Sequence, residues 1–428
     1  MSEPQQIDAA RGWRMIVRRF SALLAGEGAA RVVGFVVVLL LARRLGPGGF
    51  GIVTFGLTLV GWFTYVADSG TEILNVREIA RRPERFKHIA EHVLGLRLAM
   101  SVVATGLFVG GVMVFARSDL TRSTLVLFAL ILPATALNLR WMVLGVGGSR
   151  AIAVGQVLSR LVVLGGVLLL VANATDLKRV PVVEAIAALV YALTVLWIVG
   201  GGVGALRPRV NIAEWRATLS QSLPLMVNGF ARSIVVSFDI ILIDLALGPR
   251  DVGIYAVASK PAFFVTGAVG LFSLAFLSAF SATGEDGAAA LQGRALRWAL
   301  ALGVLVAVSL SVASAFIPLV FGDEYDRAVP VLAVLAWRIP FAVLAGIYGN
   351  VLIARDRQVD VMRNSIVVAI FVVCADLVAV LVFGIIGAAV VTVAAGALTY
   401  LLNVRSVRRV LPEFGRGRFG LLGRSVAP

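Results

Sequence analysis

Apolar windows about as long as a bilayer is thick recur along the whole chain, separated only by short charged breaks. A helix that crosses the hydrocarbon core needs about 20 predominantly apolar residues. Reading each window against its charged boundaries predicts twelve such helices. They lie near residues 20–42, 50–68, 90–115, 123–146, 151–172, 182–204, 219–246, 252–280, 296–321, 328–354, 361–384 and 387–404. Charges interrupt the first and the seventh. The expected fold class is an all-α integral membrane protein.

Composition excludes the main alternative. Of 428 residues 59% are hydrophobic and 15% charged, with a mean hydropathy of +0.95. Soluble domains carry about 25% charged residues, so a soluble enzyme of this length lacks the surface it needs. The one cysteine, Cys374, provides no disulfide framework. Met1 to Ala10 is polar and reads as lacking a cleavable signal.

The net charge of +15 comes from 39 Lys and Arg against 24 Asp and Glu. In a soluble chain that excess would point to nucleic acid; here it follows from positive loops on the cytoplasmic side. With the N-terminus inside, 24 of the 39 cations fall in inner segments, 8 in outer loops and 7 within helices. That asymmetry places both termini in the cytoplasm. The outer connections are about ten residues or fewer. An outer-face enzyme has nowhere there to carry a site, so no catalytic residue is expected.

The chain also repeats itself. Leu45-Gly46-Pro47-Gly48-Gly49-Phe50-Gly51-Ile52 returns as Leu247-Gly248-Pro249-Arg250-Asp251-Val252-Gly253-Ile254. Arg97-Leu98-Ala99 pairs with Arg297-Trp298-Ala299, Leu132-Pro133 with Ile339-Pro340, and Arg150 with Arg357. Matches in this order at a drifting offset mark a duplication. Six helices return the chain to its starting side, so the halves are parallel repeats, and such transporters bind substrate where the halves meet. The expected division is a six-helix lobe over 1–205, a second over 206–404, and a basic cytoplasmic tail over 405–428.

Leu41-Ala42-Arg43-Arg44-Leu45-Gly46-Pro47 with Phe50-Gly51 resembles the first outer hairpin of bacterial polysaccharide flippases. Ala67-Asp68-Ser69-Gly70 followed by Arg77-Glu78-Ile79-Ala80 is similar to the same family. Asp239, Leu247-Gly248, Gly253-Ile254-Tyr255 and Lys260 resemble its second-half hairpin. These are the O-antigen and exopolysaccharide flippases of the multidrug/oligosaccharidyl-lipid/polysaccharide exporter superfamily. The resemblance implies alternating access that moves undecaprenyl-pyrophosphate-linked oligosaccharide from the inner to the outer leaflet of the bacterial cytoplasmic membrane. The expected partners are that glycan, membrane lipids and other polysaccharide-assembly proteins, with no nucleic acid, no cofactor and no metal. A monomer is expected. A drug or cation antiporter of the same superfamily is the alternative, although its cavity should be anionic. A membrane-embedded polymerase or glycosyltransferase would need a large outer loop.

The seven embedded cations are Arg31, Arg97, Arg140, Arg160, Arg232, Lys260 and Arg338. Charges at that depth face a cavity or a partner, and guanidinium forks match phosphate oxygens. All seven are candidate substrate contacts. Arg97 and Arg140 lie close enough to the inner surface to snorkel instead, and ion pairs that fix helices are the alternative for the rest. Glu27, Asp239 and Asp376 are the carboxylates that can carry a coupling ion or proton. Glu27 and Arg31 also have the i, i+4 spacing of an ordinary helical pair. Asp239 lies two turns from Arg232 on roughly one face.

Three further features have ordinary explanations. Trp62, Tyr65, Trp141, Tyr255 and Tyr348 lie near helix ends and fit an interfacial aromatic belt at least as well as sugar stacking. Gly106 and Gly110 have the spacing of close helix packing. His88-Ile89-Ala90-Glu91-His92 has a zinc-peptidase pattern but no third ligand, and reads as a surface amphipathic helix.

Overall fold

Glycines at positive φ break the two longest helices, and a third separates two further helices at the matching turn of the repeat. The first helix, α1 (Glu3–Asp68), contains Gly46 at φ 65, ψ 176, a region that only a residue without Cβ occupies without strain. Pro47 follows, with its φ already set for a new helix and no N–H to leave unpaired. The second copy of the repeat does the same, with Gly248 at φ 97 and a helix opening on Pro249. The duplicated Leu-Gly-Pro is therefore a duplicated turn. Replacing Gly46 with alanine is expected to cost about 1–3 kcal/mol, read as a lower unfolding temperature in detergent. Gly48, whose added Cβ would meet nothing within 4 Å, is the matched site where alanine should be harmless.

The computed structural model describes residues 3–81, 83–145, 149–200, 206–282, 285–355 and 357–410. The Glu27 side chain and the basic tail beyond Val410 lie outside the described residues. Every regular element among the described residues is helical. After α1 come α2 (Thr71–Arg81), α3 (Phe86–Phe115), α4 (Asp119–Phe128), α5 (Ile131–Ala136), α6 (Arg140–Gly145), α7 (Ser149–Leu170) and α8 (Arg179–Gly200). Then follow α9 (Ile212–Leu247), α10 (Pro249–Ala282), α11 (Glu285–Ala313), α12 (Ile317–Phe321), α13 (Ala328–Leu335), α14 (Arg338–Ala354) and α15 (Gln358–Val410). The last is broken at Gly384, φ 62. Seven helical stretches among the described residues are long and apolar enough to cross a membrane, from Phe86–Phe115 to Gln358–Arg409. This is a multi-pass membrane protein.

The chain divides into two compact units, Met1–Phe230 and Ala231–Pro428. The division falls inside α9, which begins in one unit and ends in the other. In the first, Ile79, Val93, Trp141, Met142, Ile152 and Val195 form a buried apolar cluster. In the second, Leu296, Ile339, Val343, Ile347, Leu352 and Val404 do so. The repeat partners Leu132 and Ile339 are both fully buried, each beside a proline in the first turn of its helix. Arg97 and Arg297 share the repeat but not the environment, the first buried and the second exposed.

Two expectations about packing are corrected. Gly106 and Gly110 would meet nothing within 4 Å if given a Cβ, so they make no close helix contact. Gly155 and Gly166 of α7 do: their Cβ atoms would lie 3.1 Å from Tyr191 and 2.5 Å from Val183 of α8. Lipid tails are as apolar as leucine, so only close van der Waals approach holds such helices together. The aromatic belt fails for Trp141, Tyr255 and Tyr348, which are buried inside their units. Helix-end position in sequence did not distinguish a rim from an interior.

Candidate functional site

Each unit holds a cluster of buried charged side chains within its helices. In the second unit, the latter half of α9 carries Asp239, which is buried. The Tyr255 hydroxyl, from α10, donates a hydrogen bond to Asp239 Oδ2. Thr392 Oγ1, from α15, donates to the same oxygen at 3.5 Å, and the Ile240 N–H donates to Oδ1 at 2.8 Å. Tyr255 and Thr392 also meet at 3.3 Å.

Asp376 reaches the same place from the other half of α15. It is 1% exposed, and its Oδ1 has no hydrogen-bond partner among the described residues. Its carboxylate lies near enough to Asp239 and Tyr255 to interact electrostatically. Arg338 of α14 also lies within reach of Asp239. The Arg338 guanidinium rests over the Phe263 ring, 4.5 Å from its centroid. Two buried carboxylates in mutual range, served by two hydroxyls and one guanidinium, form a site that a proton or a cation can neutralise. The charge opposite Asp239 is thus Arg338, while Arg232, two turns away on α9, is exposed.

In the first unit, Arg97 is the centre. Its Nε donates to Thr71 Oγ1 at 2.9 Å, its Nη1 to the Asn138 carbonyl at 2.7 Å, and its Nη2 to Asp68 Oδ1. The guanidinium also stacks 5.7 Å from the Trp141 ring centroid. The turn at Ser69 and Gly70, both at positive φ, carries Asp68 into place. Arg140 pairs with Glu72 at 3.7 Å, and Arg160 with Glu184 at 3.9 Å. Arg31 on α1 and Lys260 on α10 are half-buried.

The structure therefore brings together Asp239, Asp376 and Arg338, and engages Arg97, Arg140 and Arg160 in ion pairs within the first unit. Tyr255 and Thr392 were missed as site residues. A tyrosine at a helix end and a threonine in an apolar run carry no signal until the carboxylate they serve is known.

The sequence profile described as "Polysaccharide biosynthesis protein" matches residues 16–281. The chain belongs to this family. No curated protein matches it. Among solved structures, it resembles a lipid II flippase, MurJ, in an inward closed conformation, with 15% identity and a TM-score of 0.72. That match covers 90% of this chain and 87% of the flippase. An inward-facing multidrug resistance MATE transporter of the MOP superfamily matches at 14% identity and TM-score 0.63, over 90% of this chain and 96% of that one. A MOP superfamily transporter from Pyrococcus furiosus, described by a reversed polarity of its binding pocket, matches at 11% identity and TM-score 0.62. There the match covers 92% of this chain and 96% of the transporter. At such identities the likeness establishes a shared fold. The resemblance seen in the hairpin motifs holds at the level of the family.

Proposed function

We propose that this member of the polysaccharide biosynthesis family is a flippase for undecaprenyl-pyrophosphate-linked oligosaccharide. It would work by alternating access in the bacterial cytoplasmic membrane, with twelve passes and both termini inside. The family match carries this reading. The fold of flippases and exporters and the cationic residues in the membrane support it. The breaks at Gly46 and Gly384 support twelve passes, since each splits one long helix into two span-length pieces.

Within the second unit, Arg232 and Arg338 are the proposed contacts for the substrate's phosphates, and Arg31, 14 residues before Leu45 where Arg232 is 15 before Leu247, is the near-equivalent of Arg232 in the first. Lys260 is retained with them. Arg97, Arg140 and Arg160 already have carboxylate partners, so the reading assigns them to holding helices. Asp239 and Asp376 are the proposed ion-coupling groups. The exchange of a proton or cation at that pair would favour one conformation over another, which is how a gradient drives transport.

Rescue of a flippase-null bacterium, with mass analysis of the accumulated lipid-linked intermediate, tests this. The wild-type chain should restore surface polysaccharide. Arg232→Ala and Arg338→Ala should each reduce it at least about tenfold, the loss of one charge-assisted phosphate contact, at unchanged protein level. Normal polysaccharide from the double variant would reject the residue assignment.

A further inference from the structure

The His88–His92 stretch is put to a use the zinc-peptidase pattern does not suggest. Glu91 and His92 sit in the second turn of α3, and both are buried. Residues 206–211, which lead into α9, are not helical, so no helical ladder satisfies their amides. Glu91 satisfies two of them. Its carbonyl oxygen accepts from the Arg209 N–H at 3.0 Å, and its Oε1 accepts from the Arg207 N–H at 3.4 Å. The Arg209 side chain closes the arrangement, with Nε 3.0 Å from Glu91 Oε2.

His92 continues the attachment one turn into α9. Its Nδ1 lies 3.2 Å from Glu214 Oε2 and its Nε2 3.1 Å from Thr218 Oγ1. The Thr218 contact is a hydrogen bond, whereas the Glu214 carboxylate faces the ring at ion-pair distance without hydrogen-bond geometry. Gly95 makes room for the passage: a Cβ there would lie 2.2 Å from the Arg209 carbonyl oxygen. Further along, α9 touches the first unit at two more points. The Met226 amide and the Ser222 carbonyl pass close to Gly70, and Phe230 meets Trp62 with ring centroids 5.2 Å apart. One residue later, at Ala231, the other unit begins.

We infer that Glu91 and His92 form a clasp that fastens the connection between the two halves to α3. It makes residues 206–230 a fixed part of the first unit, so that any bending of α9 falls beyond Phe230. The clasp does not depend on what is carried.

Hydrogen–deuterium exchange on the purified full-length protein tests it. In the wild type, the amides of Arg207 and Arg209 should exchange at least about tenfold more slowly than those of an unstructured peptide of the same sequence. His92→Phe and Gly95→Ala should each speed exchange across 206–218 and leave 233–247 unchanged. Arg209→Gln, which keeps the backbone bond to Glu91 and removes only the ion pair, should have a smaller effect in the same segment. Should Gly95→Ala fail to fold, the wild-type rates and the other two variants still decide. Peptide-like exchange of 206–211 in the wild type would overturn the clasp. So would a His92→Phe effect that is equal in 206–218 and 233–247.

Discussion

Replacing Asp68 with alanine is expected to destabilise the protein by about 3–5 kcal/mol, the usual cost of leaving one partner of a buried ion pair uncompensated. The Arg97 guanidinium is 3% exposed and would keep Thr71 and the Asn138 carbonyl as its partners, both of them neutral. Neither cancels its charge. Removing both members, as in Asp68→Leu with Arg97→Met, should recover most of the loss, because a well-packed apolar pair has no charge to desolvate. Unfolding temperature in detergent measures both steps. A stable Arg97→Met protein that has lost transport would contradict the structural role and return Arg97 to the substrate path.

The second large effect separates stability from activity. Asp376 has an oxygen without a hydrogen-bond partner in a buried site, within electrostatic range of a second carboxylate. An unmet buried polar group costs about 1–3 kcal/mol. Asp376→Asn removes a buried charge beside a second carboxylate, so it should raise the unfolding temperature while transport falls at least about tenfold, the loss of one charge-assisted contact. Function maintained at the expense of stability is the pattern expected of a working site. Asp239→Asn should lose transport to a similar degree. Tyr255→Phe, which removes one donor to Asp239 and leaves both carboxylates, should lose less. Unchanged transport in Asp376→Asn would mean that the carboxylate pair serves packing alone.

The parts of this account that were legible in the sequence share a physical trait: they are local or periodic. Apolar windows mark helices because the bilayer demands a minimum length. Leu-Gly-Pro marks a turn because Gly46 and Gly248 need a positive φ and a proline can open a helix. Asp239 and Asp376 drew notice because a carboxylate in an apolar run needs a reason.

What stayed hidden depends on contacts between distant positions. Nothing near Asp239 in sequence announces Thr392, 153 residues away. Arg97 resembled a substrate contact until Asp68, Thr71 and Asn138 closed around it. Gly106 and Gly110 have the spacing of a packing motif, but spacing does not place a neighbouring helix, and the contact fell to Gly155 and Gly166. His88–His92 shows the same limit. Its letters match a metal motif, whereas its partners, Arg209, Glu214 and Thr218, lie on a segment more than a hundred residues downstream.

The central claim is that the chain moves a lipid-linked glycan between leaflets. Its most direct test is reconstitution into liposomes that carry undecaprenyl-pyrophosphate-linked oligosaccharide. Glycan reaching the opposite leaflet is detected by a membrane-impermeant enzyme that cleaves the exposed sugar. The account predicts faster exposure with the wild-type protein than with empty liposomes, and a rate near background with Asp239→Asn or with Arg232→Ala and Arg338→Ala combined. Exposure no faster than in empty liposomes, alongside uptake of small organic cations by the same vesicles, would contradict it.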